Sequence, residues 1–105
     1  MSVKVSMQFN KTFDASHEDA GCSPHPHGHT FSVVVNGPKD MEQALDDIVA
    51  ELHLRDLGRM LNGGAQYPGA LASWFMERLL VTNPEIHWVT VSFMDKSSTV
   101  ERERR

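Results

Sequence analysis

A chain of 105 residues is enough for one domain (1–105) with one modest core, since a domain of this size buries roughly two thirds of its unfolded surface. A formal net charge of -4, with no basic patch interleaved with aromatics, argues against a nucleic-acid binder. No apolar run approaches membrane-spanning length, no signal-like apolar segment follows Met1, and the single cysteine, Cys22, cannot form an internal disulfide, so a cytoplasmic location is expected.

Val3, Val5, Met7, Phe9, Phe13 and Ala15 alternate with mostly polar residues, which predicts a half-buried strand over about 3–16. His17 shares the parity of that apolar set. Gly21, Pro24 and Pro26 punctuate 18–26 as a loop. Residues 30–35 are β-branched and aromatic and predict a second strand, ended by Asn36-Gly37-Pro38. Asp40 reads as the N-cap of an amphipathic helix over about 41–53, marked by Met41, Leu45, Ile48, Val49 and Leu52. Asn62-Gly63-Gly64 is a break. Leu71, Trp74, Phe75, Arg78 and Leu79 mark a second helix over about 68–81, with Pro68 suited to its first turn and the aromatic stripe read as core. Asn83-Pro84 is a turn. Val89, Val91 and Phe93 alternate as a third strand, Lys96-Ser97-Ser98 is the expected turn after it, and 99–103 a short fourth strand.

The resulting order, β-β-α-α-β-β, predicts an α+β fold with two helices on one face of a four-stranded antiparallel sheet. Val34 and Val100 fall outside the principal parity sets, which leaves the opposite face partly apolar. A small sheet with open edges tends to pair with copies of itself, so a homo-oligomer is expected.

Four of the six histidines lie in the thirteen positions from His17 to His29, around the segment His25-Pro26-His27-Gly28-His29. The local motif allows two readings: a His-rich, Pro-rich solvated loop, or a metal site. Strand parity favours the second. His17 shares the alternation of the first strand, and His27 and His29 share that of Phe31, Val33 and Val35. Antiparallel pairing would therefore gather the three. Three neutral imidazoles with an open fourth position are the donor set of a catalytic zinc. His25, between two prolines, reads as a surface histidine.

Phe13-Asp14-Ala15-Ser16-His17, Cys22 and His27-Gly28-His29-Thr30-Phe31 together resemble the 6-pyruvoyltetrahydropterin synthase and 6-carboxytetrahydropterin synthase family. There, a Phe-x-Ala-x-His strand end and a His-Gly-His strand start supply three zinc ligands. Leu71-Ala72-x-Trp74, Glu77-Arg78-Leu79, Val89-x-Val91 and Asp95 extend the resemblance over most of the chain. It implies the T-fold and a homohexamer of two stacked trimers, each trimer closing a barrel, with active sites at subunit interfaces. It also implies zinc on His17, His27 and His29, and lyase chemistry on 7,8-dihydroneopterin triphosphate. Cys22, five residues before His27, falls near the family's proton-transferring cysteine, Asp56 at the aspartate of its Asp-His pair, and Asp95 close to the acidic residue that anchors the pterin.

The chain departs from the pattern in three places. The family's Leu-Asp-His run is replaced by Arg55-Asp56-Leu57, with no histidine after the aspartate; His53 comes three residues earlier and reads as lying on a different helical face. Phe93 aligns with the pterin-anchoring glutamate, with Asp95 two residues on. Tyr67-Pro68-Gly69-Ala70 replaces the Pro-Thr-x-Glu start of the second helix. Without a positioned base, zinc alone forgoes the roughly 10²–10⁴-fold that acid-base catalysis supplies. The expectation is a divergent homologue that binds a pterin-like ligand at a subunit interface without the ordinary synthase reaction. Zinc occupancy is left open. An active zinc-dependent synthase and a non-catalytic structural oligomer stay open as alternatives.

Overall fold

In a computed structural model of the chain, described at residues 6–19, 23–57, 68–94 and 96–102 (backbone alone at 6, 16–19, 23–29, 56 and 68), the N-terminal alternation forms strand β1, Ser6–Asp19. Phe9, Phe13 and Ala15 are buried, whereas Gln8, Asn10, Thr12 and Asp14 are exposed. Met7, of the apolar parity, is exposed near the start of the strand. Strand β2, Ser23–Pro38, returns antiparallel, with Val35 opposite Phe9 and Phe31 opposite Phe13. It begins well before the expected residue 30. Pro24 and Pro26 do not stop it, because β4 pairs with β2 only from Ser32 to Asn36. At the prolines one side of β2 carries no ladder among the described residues, and a missing N–H is tolerated on such an edge.

A 3₁₀ turn, Lys39–Met41, leads into helix α1, Glu42–Leu52. Asp40 is not its N-cap. Met41 occupies that position in a helical conformation, no side chain caps the helix, and Asp40 lies inside the 3₁₀ turn. The helix start is fixed instead by the full burial of Met41. Next come strand β3, Arg55–Asp56, helix α2, Pro68–Leu80, and strands β4, Trp88–Phe93, and β5, Lys96–Glu101. The strand order is β3-β1-β2-β4-β5. Four of these strands form the expected antiparallel sheet. The two-residue β3, parallel to β1 at its outer edge, is an addition to it.

The last hairpin turns earlier than expected. Phe93 pairs with Lys96, so the connection is Met94-Asp95 and residues 96–98 are already strand. Met94 carries it in the left-handed region at φ 55. A two-residue hairpin needs that conformation, but it is normally signalled by Asn or Gly, not methionine. This register sets Val100 opposite Val89 on the core side, which corrects its assignment to the open face.

Both helices cover one face of the sheet. Leu45, Ile48 and Leu52 of α1, and Leu71, Ala72, Phe75, Met76 and Leu79 of α2, pack with Phe9, Phe13, Phe31, Val33, Val35, Val89, Val91 and Phe93. Phe31 is the hub. Its ring stacks on Phe13 at 5.3 Å and tilts against Phe93 at 5.0 Å. Lys11 has core-facing parity but ends in charge, reaching Asp46 at 3.1 Å and Glu42 at 3.6 Å on α1. Its hydrogen bond to Asp46, the largest cause, holds the ammonium above the usual lysine range. Trp74 is half-buried and carries Arg78 over its ring at 5.0 Å; Arg78 also pairs with Glu51 at 2.5 Å, tying the helices together.

The opposite face is polar. The Thr30 hydroxyl donates to Asp14 Oδ1 at 2.6 Å, that of Ser32 to Asn10 Oδ1 at 3.2 Å, and the hydroxyls of Thr90 and Thr99 bond to each other at 2.6 Å. Val34 and Trp88 sit half-buried on the same face. Among the described residues, no helix is long and apolar enough to cross a membrane.

Gly37 belongs to β2, opposite Met7, and is there for closeness, not for a turn. A Cβ at this position would lie 2.7 Å from Met41 Cε and 3.4 Å from Ile86 Cα. Gly37→Ala is expected to cost about 1 kcal/mol, the low end of overpacking because a methionine tip can yield, and to lower the thermal midpoint by roughly 4–8 °C in a calorimetric scan.

Candidate metal and ligand site

Each of the three histidine positions is set by the pairing of β1 with β2. His17 is directly opposite His27, and Ala15 is opposite His29. Residues opposite each other in an antiparallel pair share a face, as do residues two apart along one strand. The register therefore puts the three positions on one side of the ribbon, within two residues of each other. Three imidazoles at such positions fit a tetrahedral zinc with one place left for a ligand.

The ladder is broken immediately beyond. After His17 opposite His27, the next pair is Asp19 opposite Ser23. One residue of β1, Glu18, thus faces three of β2: Pro24, His25 and Pro26. Two of these three have no N–H to give, so regular pairing cannot continue through them. Bulges of this kind bend a strand and recur beside functional sites. Strand β1 has 14 residues, roughly 46 Å at about 3.3 Å per residue, which accounts for most of the 54 Å long axis of the molecule. The histidine positions therefore stand toward one end of a long ribbon, past the part of β2 that β4 covers.

Strand β3 supports this end from the other side. Ala15 pairs with Arg55 and Ser16 with Asp56, so the backbone of Asp56 adjoins the residue before His17. Topology thus brings the expected aspartate position to the expected metal ligands. Leu57, which follows it, is fully buried in the core. Cys22 and Asp95 lie outside the described residues. The described groups of His, Cys, Asp and Glu side chains form no metal cluster, and that set does not include the side chains of His17, His27 and His29.

His53 is placed differently from its expected helical position. Helix α1 ends at Leu52, and His53 leaves it in an extended conformation, its N–H bonded to the Val49 carbonyl. The imidazole turns to β1, where its Nδ1 accepts from the Asp14 N–H at 3.1 Å. Leu54, in the left-handed region at φ 61, donates its own N–H to the Asp14 carbonyl at 2.5 Å. Asp14 is held on both its backbone groups by this one turn, and β3 starts with the next residue. Nothing in the local sequence signals this. The bond joins residues 39 apart, and leucine is not a residue associated with positive φ.

Compared with solved structures, the chain is similar over 94% of its length to Caenorhabditis elegans 6-pyruvoyl tetrahydropterin synthase, covering 96% of that chain, with a TM-score of 0.77 and 16% sequence identity. The four antiparallel strands and two helices are thus arranged as in that T-fold protein. No family model matches the sequence, and no curated protein matches it.

Proposed function

We propose that the chain is a divergent relative of the pterin synthases that binds zinc and a pterin-like ligand without the ordinary synthase reaction. The observation that carries this reading is the register that sets His17 opposite His27 and His29 opposite Ala15. His17, His27 and His29 would hold the metal. Zinc in that place supplies Lewis acidity toward ligand hydroxyls. Loss of the base follows from Leu57, a core residue, at the position after Asp56. Cys22 is the candidate proton carrier and Asp95 the candidate anchor for the ligand's polar edge.

Assembly by strand edges accompanies this reading. The open face is lined mainly by hydroxyls, amides and Asp14, with Val34 and Trp88 as its apolar side chains in β2 and β4. A second sheet would therefore gain only limited apolar burial by stacking on it. Strand β5, and β1 before Asp14, have no outer strand partner among the described residues. Copies joined along these edges would leave the polar face toward an interior. They would also brace the histidine end of the ribbon, since a lone two-stranded ribbon is marginal in water. A hexamer of two trimers is the proposed form, and the lone cysteine fits a cytoplasmic location.

Metal analysis of the purified protein and of His29→Ala is the deciding experiment, with titration of a dihydropterin by calorimetry and an assay on 7,8-dihydroneopterin triphosphate. The expected result is about one zinc per chain in the parent, none in His29→Ala, and heat of pterin binding without turnover. A parent that retains no zinc from zinc-supplemented growth removes the metal from the proposal. Rapid turnover replaces it with an active synthase, and absence of any pterin binding leaves a structural oligomer.

A further inference from the structure

We infer that His53 is a positioning residue: its imidazole fixes the turn that docks β3 against β1 and so steadies the backbone at His17. The inference rests on the zinc-site reading above and deepens it.

The turn is costly by itself. Leu54 adopts a left-handed conformation unfavourable for a residue with a Cβ, and its side chain is 76% exposed, so burial does not compensate. Such strain persists only where the surroundings over-determine it. Here two hydrogen bonds, both to Asp14, do so. The Leu54 N–H bond is available to any residue type but proline at position 54. The bond to the Asp14 N–H requires an acceptor at position 53 reaching back across the strand edge, and the imidazole supplies it. Because Nδ1 accepts, the ring proton resides on Nε2. The next two residues then enter the ladder beside Ala15 and Ser16, one residue from His17. The path from His53 to the metal position is therefore short and runs through backbone: imidazole to Asp14, turn to β3, β3 to Ser16, Ser16 to His17.

The role differs from that of a catalytic base. His53 bonds to main chain on the far edge of β1, and its contribution is to geometry. Asparagine can mimic it, because its Oδ1 accepts at nearly the same place as Nδ1, whereas alanine cannot.

The experiment compares the full chain with His53→Ala and His53→Asn. It reads amide hydrogen exchange at Asp14, Arg55 and Asp56 by NMR, and zinc affinity by competition with a chromophoric chelator. His53→Ala is expected to speed exchange at these three amides about tenfold and to weaken zinc about five- to tenfold, with His53→Asn returning both toward the parent. Unchanged exchange in His53→Ala overturns the clamp, as does an asparagine variant no better than alanine. Faster exchange with unaltered zinc affinity overturns the link to His17. If the parent itself binds no zinc, the zinc reading fails separately, and the exchange data still decide whether His53 holds β3.

Discussion

Phe31→Ala is expected to cost about 3–5 kcal/mol, the usual range for emptying a buried phenylalanine site. Phe31 has no exposed surface, and its ring lies between those of Phe13 at 5.3 Å and Phe93 at 5.0 Å. The three rings come from β1, β2 and β4, with Phe75 of α2 reaching Phe13 at 6.0 Å. A cavity there therefore loosens the joint between both long strands and the helix layer, with little chance of collapse from one side. Against a typical domain stability of about 5–15 kcal/mol, the variant should be close to unfolded. The functional consequence follows from sequence distance: Phe31 is two residues from His29 on the same strand, so pairing that loses register at Phe13 and Phe31 also loses the opposition of His17 and His27. Chemical denaturation read by circular dichroism checks the stability, and zinc content checks the coupling. A variant that loses less than about 1 kcal/mol would show that the rings are not the joint between these strands.

Much of this architecture is visible in the residues themselves, and the reason is periodicity. Phe9, Phe13 and Ala15, then Phe31, Val33 and Val35, then Val89, Val91 and Phe93, each alternate because one face of the sheet is buried under helices and the other is not. The same alternation extends to the histidine positions, so their grouping could be anticipated from parity before any coordinates. What escapes is whatever depends on partners far along the chain. The first third of β2 contains two prolines and reads as a loop, yet pairing with β1 at Ser23 and again from His27 onward keeps the strand going on either side of them. Strand β3 has two residues, too few for any period, and exists because a turn at His53 and Leu54 fastens it to Asp14. The Met94 turn uses a conformation for which methionine carries no sequence signal. Its displacement by a few residues moved Val100 from one face of the expected sheet to the other. Asp40 has the composition of a cap and none of its bonds, because the burial of Met41 already determines where the helix begins.

Restoring the absent histidine by Leu57→His is expected to destabilise the protein by about 3–5 kcal/mol and not to produce synthase turnover. Leu57 is fully buried with the core cluster, so its removal forfeits about 1.5–3 kcal/mol of side-chain burial. Placing an imidazole there adds roughly 1–3 kcal/mol for a polar group buried among aliphatic and aromatic carbons. The geometry explains why the substitution is not a simple repair. Asp56 is registered with Ser16 in the β3–β1 pair, and the position after it is directed into the core. By this register position 57 falls on the face of His17, but its side chain is packed into the core there. A histidine serving a pocket would need this short segment to lift out of that packing. That movement would in turn break the docking of β3 that His53 and Leu54 fix at Asp14. A urea titration of Leu57→His beside an assay on 7,8-dihydroneopterin triphosphate tests the argument. A stable variant with measurable turnover would mean that the position can serve the pocket, and the chain would then be one substitution from an active synthase. Loss of stability without turnover is the outcome that follows if the core and the catalytic base compete for one position and the core holds it.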